Sequence, residues 1–283
     1  MKLVYKITEE CLVKEYMSKI KLSRRFSRKV KLYGKIYING EEAKNYYPLK
    51  PGDELILEYN ESRNESIVST ECNIDIRYED DNILVINKPI SLASQPSHLH
   101  FENNVVSFVK NYFDKIGLDS NVHVVNRLDY QTSGLMCIAK NGFTHYELTK
   151  EKVITRKYFC VVEGILEEKK GKIIKGIKRE CEGSIKRIAS DEGSIAITKY
   201  KVICEKNNKS LIDVELETGR THQIRVHFSY INHPLVGDKI YGKEDVRLML
   251  HCYNVNFINP FDGKEINIVC YPDFYYDFIN TKE

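Results

Sequence analysis

The chain has 283 residues, of which 42% are hydrophobic and 29% are charged, and its net charge is +3 at pH 7. These values are typical of a globular protein with an ordinary core and about two domains. They exclude a helical membrane protein, because no stretch approaches the roughly 20 apolar residues needed to cross a bilayer. Residues 1–6 are too polar to begin a signal peptide, so we expect a cytoplasmic protein.

The positive charge is concentrated at the N-terminus. Residues 1–60 contain 13 Lys or Arg and 8 Asp or Glu, whereas the remainder contains 30 and 32. Between Lys14 and Lys35 there are nine basic residues and one acidic residue, Glu15. Such a cluster attracts polyanions, because each basic side chain that meets a phosphate releases condensed counterions. A solvated helix face has the same pattern, so charge alone leaves both interpretations open.

The first clear helix signal lies inside this basic region. Ser23 is the predicted N-cap and Gly34 the predicted helix stop. Phe26, Val30 and Tyr33 fall on one face at helical spacing, which leaves the basic residues on the other face.

Two short strands are predicted next. Lys35–Ile38 leads into Asn39-Gly40, a strong signal for a β-hairpin. The turn residues 51–53 lead into a second strand over residues 54–59. Residues 61–72 are polar and lack apolar periodicity, so they are predicted to link a first domain, residues 1–60, to a second domain, residues 73–283.

The order of these N-terminal elements resembles the small α/β RNA-binding domain first known from a ribosomal protein, the S-four-like domain. The matching pieces are residues 22–25, 34–40 and 50–53. The resemblance implies that the basic helix faces structured RNA. Its expected RNA-binding residues are Arg24, Arg25, Arg28 and Lys29.

After the linker, strand-like and helix-like patterns alternate. A buried strand is predicted over residues 83–86, and a helix over 105–116 that ends at Gly117. Residues 211–217 alternate apolar and acidic side chains, as in a half-buried strand. This mixed order predicts an α+β fold with a largely antiparallel sheet rather than a doubly wound nucleotide-binding fold.

The densest group of candidate functional residues spans 124–140, with the sequence VVNRLDYQTSGLMCIAK. Polar turn residues lie there between two apolar runs, which places Asp129 in a loop at a strand end, where functional groups are commonly presented. Taken without further context, an aspartate that accepts backbone hydrogen bonds in the turn would explain the same pattern.

This segment resembles the signature of RluA-type pseudouridine synthases, and further matches follow in the order of that family. They are residues 86–89 with 95–97, 156–158 with 161–164, 218–227, 233–238 with 241–242, and 247–251. Several ordered motifs over residues 75–270 are far more specific than one short motif. The chain is therefore identified as a member of this family, with a pseudouridine-synthase-type catalytic domain.

The resemblance implies that the chain isomerises uridine to pseudouridine, with Asp129 as the catalytic carboxylate. The bond from the uracil nitrogen to the ribose breaks, the base rotates, and its carbon 5 joins the anomeric carbon. Asp129 either attacks the sugar or removes a proton from it, and the sequence leaves both open. Arg220 is the expected cation that keeps this carboxylate charged; a purely structural ion pair is the alternative.

The resemblance also implies roles in holding an extruded base. Arg127 would fill the vacated stack, for which a flat guanidinium is suited. Tyr158 would pack on the uracil, with its hydroxyl available for proton movement, although core packing is the ordinary role of such a tyrosine. Ile224 and Leu250 are expected to line the pocket.

One position departs from the commonest form of the signature. Asn126 stands immediately before the arginine, where histidine is usual. Asparagine keeps hydrogen-bonding capacity but cannot carry a proton at neutral pH. We therefore expect a supporting role for Asn126 and no proton transfer by it.

No metal or cofactor is expected. His222 and His227 are five residues apart, not the three or four that align side chains on one helix face. No acidic pair accompanies these two or His233 at ligand spacing, so structural or RNA-facing histidines are expected. The eight cysteines are scattered without paired metal-ligand spacing. We expect a monomer whose partner is RNA.

The target RNA and even the activity have alternatives. The N-terminal domain favours a large structured target, for which large-subunit ribosomal RNA is the first candidate. Transfer RNA is the second. A non-catalytic RNA-binding factor for ribosome assembly is a third possibility, which the presence of Asp129, Arg127, Tyr158 and Arg220 disfavours.

Overall fold

The computed structural model of the chain describes residues 2–20, 22, 24–59, 64–150 and 153–280, without the side chains of Arg24 and Arg25. The predicted N-cap Ser23 and residues 61–63 of the predicted linker lie outside this part. The chain divides into two compact units, one formed by residues 1–65 with 113–121 and the other by residues 66–112 with 122–283. None of the described helices is long and apolar enough to cross a membrane.

Six helices are found in the described residues. They are α1 Val13–Lys19, α2 Arg24–Tyr33, α3 Val105–Lys115, α4 Gly142–Leu148, α5 Gln223–Tyr230 and α6 Asp273–Ile279.

Eighteen strands accompany them in the same part of the chain. They are β1 Lys2–Lys6, β2 Cys11–Leu12, β3 Lys35–Ile38, β4 Glu41–Ala43, β5 Pro48–Leu49, β6 Glu54–Glu58, β7 Ile76–Glu79, β8 Ile83–Lys88, β9 His123–Val124, β10 Ser133–Ala139, β11 Ile154–Glu163, β12 Lys170–Ile174, β13 Ile177–Arg179, β14 Arg187–Ala189, β15 Ile197–Lys206, β16 Lys209–Leu216, β17 Leu250–Ile258 and β18 Glu265–Val269.

The first unit contains a four-stranded antiparallel sheet in the order β1-β6-β3-β4 and a short β2-β5 pair. Phe26 and Val30 of α2 are buried, as predicted, but Tyr33 is 75% exposed. Tyr33 is the last residue of the helix, and at Gly34 the chain meets the sheet so closely that a Cβ atom would lie 2.3 Å from the carbonyl oxygen of Glu58. Helical spacing alone did not show that the buried face ends before Tyr33.

The predicted hairpin of the first unit is present. Asn39 and Gly40 both have positive φ angles, 51° and 87°, as a tight turn between β3 and β4 requires. The Asn39 side chain also donates a 2.8 Å hydrogen bond to Asp53, which ties this hairpin to the turn before β6.

The second unit is built on a ten-stranded sheet whose main path is β12-β15-β16-β11-β17-β10-β8-β7. All its strand pairs are antiparallel except β10 with β17. These two strands are closest at Gly134, where φ is +114° and a Cβ atom would lie 2.3 Å from the Cys252 carbonyl oxygen. Any side chain at Gly134 would therefore force apart the central strands.

The predicted fold class is confirmed: the chain is α+β with a mixed, mostly antiparallel sheet. The predicted buried strand over residues 83–86 lies within β8, and its apolar side chains are inaccessible to solvent. The predicted helix over residues 105–116 ends one residue earlier, which leaves Ile116 47% exposed. The alternating segment 211–217 forms most of β16, with Ile212 and Val214 fully buried.

Candidate active site

A cavity of about 600 Å³ opens in the second unit. The loop before β10, strand β11, the loop leading into α5 and the start of β17 form its walls. All the residues predicted to act on or bind the substrate line it. They are Arg127, Asp129, Tyr158, Arg220, Ile224 and Leu250. Their roles stay predictions, but the structure brings together six side chains spread over more than a hundred positions.

The loop that carries Asp129 is held on both sides of this residue. Ser94 accepts a hydrogen bond from the backbone N–H of Leu128 at 3.1 Å and donates one to its carbonyl oxygen at 2.5 Å. On the other side, the Lys88 Nζ lies 3.3 Å from the Tyr130 carbonyl oxygen. The carboxylate of Asp129, whose side chain is 30% exposed, is thus presented from a fixed backbone.

Lys88 is a cation completely buried behind this loop. Its Nζ also donates to the carbonyl oxygens of Pro89 and Leu92, at 2.8 and 2.9 Å. Burial lowers the pKa of Lys88 to about 7, and the charge of Asp129 opposes that shift. Three carbonyl acceptors match the three donors of an ammonium group, so the charged form fits the hydrogen bonds.

Asn126 has a structural role in this wall. Its side-chain oxygen accepts the backbone N–H of Cys137 at 2.7 Å, and its side-chain nitrogen donates to the Leu135 carbonyl at 3.2 Å. The residue is 2% exposed. Its amide therefore satisfies backbone groups of β10, which agrees with the supporting role expected for it.

Tyr158 lies in β11 between β16 and β17 and is 5% exposed. Burial raises the pKa of its hydroxyl well above the ordinary value, Cys252 adds to this rise, and the charge of Arg156 opposes it. The hydroxyl therefore stays protonated near neutral pH and can donate a hydrogen bond.

Arg220 does not form the predicted pair with Asp129. Its Nε donates to the carbonyl oxygen of Ile195 at 3.2 Å, and no ion pair joins it to Asp129 among the described residues. The charge of Asp129 acts instead on Lys88 and Arg225. It favours the protonated form of each and so raises their pKa values against the lowering by burial. The ion pair expected between Arg220 and Asp129 is therefore not found in the described structure, and the other role of Arg220, in binding the substrate, stays a prediction.

Gln223, the first residue of α5, organises the loop before it. Its side-chain oxygen accepts hydrogen bonds from the Arg220 backbone N–H and the Thr218 hydroxyl, at 2.9 and 2.8 Å. Its side-chain nitrogen donates to the carbonyl oxygen of Ile197 at 3.0 Å. This loop is therefore shaped by one buried amide, whose role the sequence alone did not reveal.

Arg225 is held by an ion pair with Asp238. Two hydrogen bonds of 2.7 Å join the guanidinium and the carboxylate, and the two residues are 4% and 1% exposed. The guanidinium also lies 5.1 Å from the centre of the Tyr241 ring. Asp238 raises the pKa of Arg225 against the effect of burial, so the guanidinium stays charged.

His222 lies beside Asp129 in the cavity wall. Its Nε2 lies 3.9 Å from the Asp129 carboxylate, and its Nδ1 lies 2.8 Å from the Tyr241 hydroxyl. Burial lowers the pKa of His222, and Asp129 opposes this. The sequence prediction treated His222 as structural or RNA-facing; its position next to the aspartate was not legible from spacing.

Two further polar groups in the cavity wall are buried without a hydrogen-bond partner in the described part of the chain. They are the Arg156 Nε and the Thr132 hydroxyl. Buried polar groups are normally paired, so these two atoms are exceptions in the cavity wall. Arg156 lies two residues before Tyr158 and faces the same cavity, and the sequence motif 156–158 did not by itself assign it a role.

The wall is rich in arginine. Four arginines line the cavity: Arg127, Arg156, Arg220 and Arg225. Apolar side chains of Ile224 and Leu250, both buried, complete it. A flat base attached to a phosphorylated sugar matches this combination of apolar and cationic groups.

The three histidines between residues 222 and 233 have different hydrogen-bond partners. His227 lies between the Thr198 hydroxyl, at 2.8 Å, and the Lys175 carbonyl, at 3.2 Å, whereas His233 contacts the Glu163 carbonyl at 2.8 Å. No cluster of His, Cys, Asp and Glu suited to a metal is found within the described ranges.

The predicted RNA-binding residues of α2 belong to the first unit. Arg28 is exposed, and the Lys29 Nζ lies 5.4 Å from the centre of the Tyr59 ring. The side chains of Arg24 and Arg25 lie outside the described part. The RNA-facing role of this helix stays a prediction.

Comparison with known proteins adds to this geometry. Residues 82–230 match the protein family described as RNA pseudouridylate synthase. The chain is 37% identical over 256 residues to the uncharacterized RNA pseudouridine synthase YjbO of Bacillus subtilis, covering 88% of this chain and 90% of that protein. It is 33% identical over 273 residues to ribosomal large subunit pseudouridine synthase C of Buchnera aphidicola, covering 88% and 85%.

A solved structure is also similar. The structure of human RNA pseudouridylate synthase domain containing 1 aligns with a TM-score of 0.57 and 27% identity, covering 71% of this chain and 84% of the human one. The likeness thus extends from sequence motifs to the fold that carries them.

Proposed function

The chain belongs to the RNA pseudouridylate synthase family and is an RNA pseudouridine synthase, an isomerase, and we propose that Asp129 is its catalytic carboxylate. The observation that carries this proposal is the composition of the cavity wall. Of the described residues that line the cavity, Asp129 is the one carboxylate.

The chemistry needs one such group. The bond between uracil N1 and the sugar C1′ breaks, a bond between uracil C5 and C1′ forms, and the proton on C5 is finally replaced by one on N1. Asp129 acts at the sugar either as a nucleophile or as a base. The fixed backbone around it supports both, since each requires a carboxylate held close to C1′.

The target base must leave its stack to reach this cavity. Arg127, exposed at the rim, is proposed to occupy the vacated stack. Tyr158, Ile224 and Leu250 are proposed to hold the uracil, with the Tyr158 hydroxyl available for the late proton movement. Arg220 is proposed to bind the RNA near the cavity through the part of its guanidinium not used by the Ile195 carbonyl.

Large-subunit ribosomal RNA is the proposed substrate. A relative similar over 88% of this chain is named for that RNA, and the basic first unit, proposed to be an S-four-like RNA-binding domain, suits a large folded target. Transfer RNA is the second candidate. A cytoplasmic location and a monomeric state are proposed with this assignment.

Pseudouridine mapping of total RNA tests the proposal. Cells that lack the gene are compared with cells restored with the wild-type chain or with Asp129→Asn. Defined positions in large-subunit ribosomal RNA should lose pseudouridine and regain it with the wild type alone. Loss confined to transfer RNA would overturn the substrate, and restoration by Asp129→Asn would overturn the catalytic residue.

If every site persists after deletion, the purified protein is assayed on ribosomal and transfer RNA transcripts. Formation of pseudouridine in ribosomal RNA transcripts supports the proposal. No product on either RNA would favour the non-catalytic RNA-binding alternative.

A further inference from the structure

Resting on the proposed role of Asp129, we propose that His222 and Tyr241 form a positioning pair for this carboxylate. The Tyr241 hydroxyl holds the imidazole in the tautomer that carries its proton on Nε2, and this N–H points towards Asp129. His222 then fixes one carboxylate oxygen and leaves the other free to act at the sugar.

The geometry places the two ring nitrogens in different surroundings. The Nδ1 lies 2.8 Å from the Tyr241 hydroxyl oxygen, whereas the Nε2 lies 3.9 Å from the Asp129 Oδ2. The His222 side chain is 8% exposed, so water does not readily compete for either nitrogen. His222 and Asp129 line the same cavity.

The tautomer follows from the partners of Tyr241. Its hydroxyl oxygen accepts a hydrogen bond of 2.9 Å from the Arg187 backbone N–H. Its own hydrogen needs an acceptor, and within the described chain the acceptor in reach is the His222 Nδ1. A neutral imidazole that accepts at Nδ1 carries its proton on Nε2.

Both members of the pair are held rigidly. His222 has a left-handed backbone, with φ 57° and ψ 20°, immediately before α5. Tyr241 is fixed through its backbone N–H, which donates to Asp238 at 3.2 Å, and through the Arg225 guanidinium over its ring. The Arg225–Asp238 ion pair therefore supports the hydroxyl that selects the tautomer.

Burial favours the neutral form of the His222 ring, and four charged groups surround it. Asp129 faces it from the loop before β10, Arg225 from α5, Arg187 from β14 and Asp238 from the turn before Tyr241. Burial is the largest influence and lowers the pKa of His222, the two arginines add to this effect, and the two aspartates oppose it. A neutral imidazole N–H orients Asp129 and leaves its negative charge uncompensated. An imidazolium would neutralise that charge.

The separation of 3.9 Å exceeds an N–H···O hydrogen bond of about 2.7–3.2 Å. Such contacts in ligand-free sites often tighten when the substrate binds. A small movement of the Asp129 side chain, which is the more exposed of the two, closes the gap.

Nitrogen-15 NMR of histidine-labelled full-length protein tests the tautomer directly. For His222 we expect a protonated Nε2 and an unprotonated Nδ1 at pH 7.5. In Tyr241→Phe the acceptor role of Nδ1 is no longer enforced, and a mixture of tautomers should appear. A proton on Nδ1 in the wild type would overturn the proposal. This readout does not depend on activity.

Steady-state kinetics test the consequence. Tyr241→Phe and His222→Asn should each lower kcat by about 10–100-fold with KM changed less than threefold, because a misplaced reacting group costs up to about 100-fold. Asparagine tolerates the left-handed backbone but is too short to reach both partners. His222→Gln, whose amide has both a donor and an acceptor, should recover part of the rate.

Tyr253→Phe is the matched control, since it removes another buried tyrosine hydroxyl, one bonded to Asp213 at 3.0 Å; it should keep the wild-type rate. If Tyr241→Phe fails to fold, the rate of His222→Asn and the nitrogen-15 spectrum of the wild type test the proposal instead. Wild-type rates in both variants, with Asp129→Asn inactive, would overturn the pair alone. An active Asp129→Asn would instead overturn the proposed function.

Discussion

The guanidinium of Arg225 and the carboxylate of Asp238 are joined by two parallel hydrogen bonds of 2.7 Å in a site that solvent scarcely reaches. Asp238 also accepts the backbone N–H groups of Ile240 and Tyr241, at 3.0 and 3.2 Å. The Asp238 carboxylate thus joins the turn that carries Tyr241 to Arg225 of α5. It thereby holds Arg225, a residue of the cavity wall, in place.

Asp238→Ala should lower the free energy of unfolding by about 3–5 kcal/mol, because it leaves the buried Arg225 charge unpaired. Urea denaturation measures this. Asp191→Ala is the control: it breaks the ion pair between Lys175 and an aspartate whose side chain is 91% exposed, and such a surface pair contributes little to stability. Similar small losses in both variants would contradict the structural importance of the buried pair.

Acid should destabilise the fold partly through His251. Its Nε2–H donates to the Cys270 carbonyl at 2.9 Å, and its Nδ1 accepts from the Ser133 hydroxyl at 2.8 Å. Burial lowers the pKa of His251 to about 4, whereas an unfolded histidine takes up its proton near pH 6.5. Between these values the unfolded state binds more protons, so stability is fully present above about pH 6.5 and declines as the pH falls towards 4.

Over the whole range from pH 6.5 to pH 4 this contribution is on the order of 3 kcal/mol. His251→Gln keeps one donor and one acceptor but cannot titrate, so its stability should decline less between pH 7 and pH 5 than that of the wild type. Urea denaturation at both pH values is the measurement, with the exposed His98→Gln as control. Equal declines in all three proteins would rule out the assigned role of His251.

Arg127→Lys should reduce activity more on structured RNA than on a flexible one. If the guanidinium fills the place of the extruded base, its loss raises the cost of extrusion, which amounts to a few kcal/mol for a stacked base. We expect kcat/KM to fall about 10–100-fold on a transcript with the target uridine stacked in a helix, and less than threefold with the uridine in a loop.

Arg179→Lys replaces an exposed arginine that does not line the cavity and should leave both transcripts unaffected. An equal reduction by Arg127→Lys on the two transcripts would contradict the stacking role and favour ordinary phosphate binding.

The sequence predicted the members of the site better than their contacts. Asp129 and Tyr158 were placed in one cavity from ordered motifs, but the expected Arg220 pair with Asp129 is absent from the described structure. The Arg220 Nε donates instead to the Ile195 carbonyl, in a loop where His222 takes a left-handed backbone and Gln223 bonds to the Arg220 backbone N–H. Such a local reversal redirects neighbouring side chains in a way that residue spacing does not encode.

The elements of the fold also divide into those that the sequence predicted and those that it did not. The strand over residues 83–86 was predictable because its side chains are all apolar. Tyr33 was assigned to the buried face of α2, but it is exposed. Helical spacing predicts which residues share a face, but it does not predict where along the helix the contact with the rest of the domain ends. For Asn126 the sequence predicted a supporting role but not the hydrogen-bond partners. Those partners lie on β10, nine and eleven residues away along the chain.

Neutralising α2 should weaken RNA binding in a salt-dependent manner. For the double variant Arg28→Gln and Lys29→Gln, the slope of log binding constant against log salt should shrink by about 0.7–0.9 for each phosphate that is no longer neutralised. Filter binding to a ribosomal RNA transcript at several salt concentrations measures it. Lys243→Gln, exposed in the second unit, should leave the slope unchanged, and an unchanged slope in the double variant would refute RNA binding by these two residues.

The most direct test of the central claim is the release of tritium from RNA labelled at uracil C5, since isomerisation frees the proton on that carbon. Purified Asp129→Asn should release less than about 0.1% of the wild-type amount under single-turnover conditions, because removal of a reacting group costs at least about a thousandfold. Its affinity for the RNA should stay within threefold, and Asp81→Asn, which alters an exposed carboxylate outside the cavity, should react like the wild type. Release by Asp129→Asn at a rate near that of the wild type would contradict the assignment of Asp129 as the catalytic carboxylate.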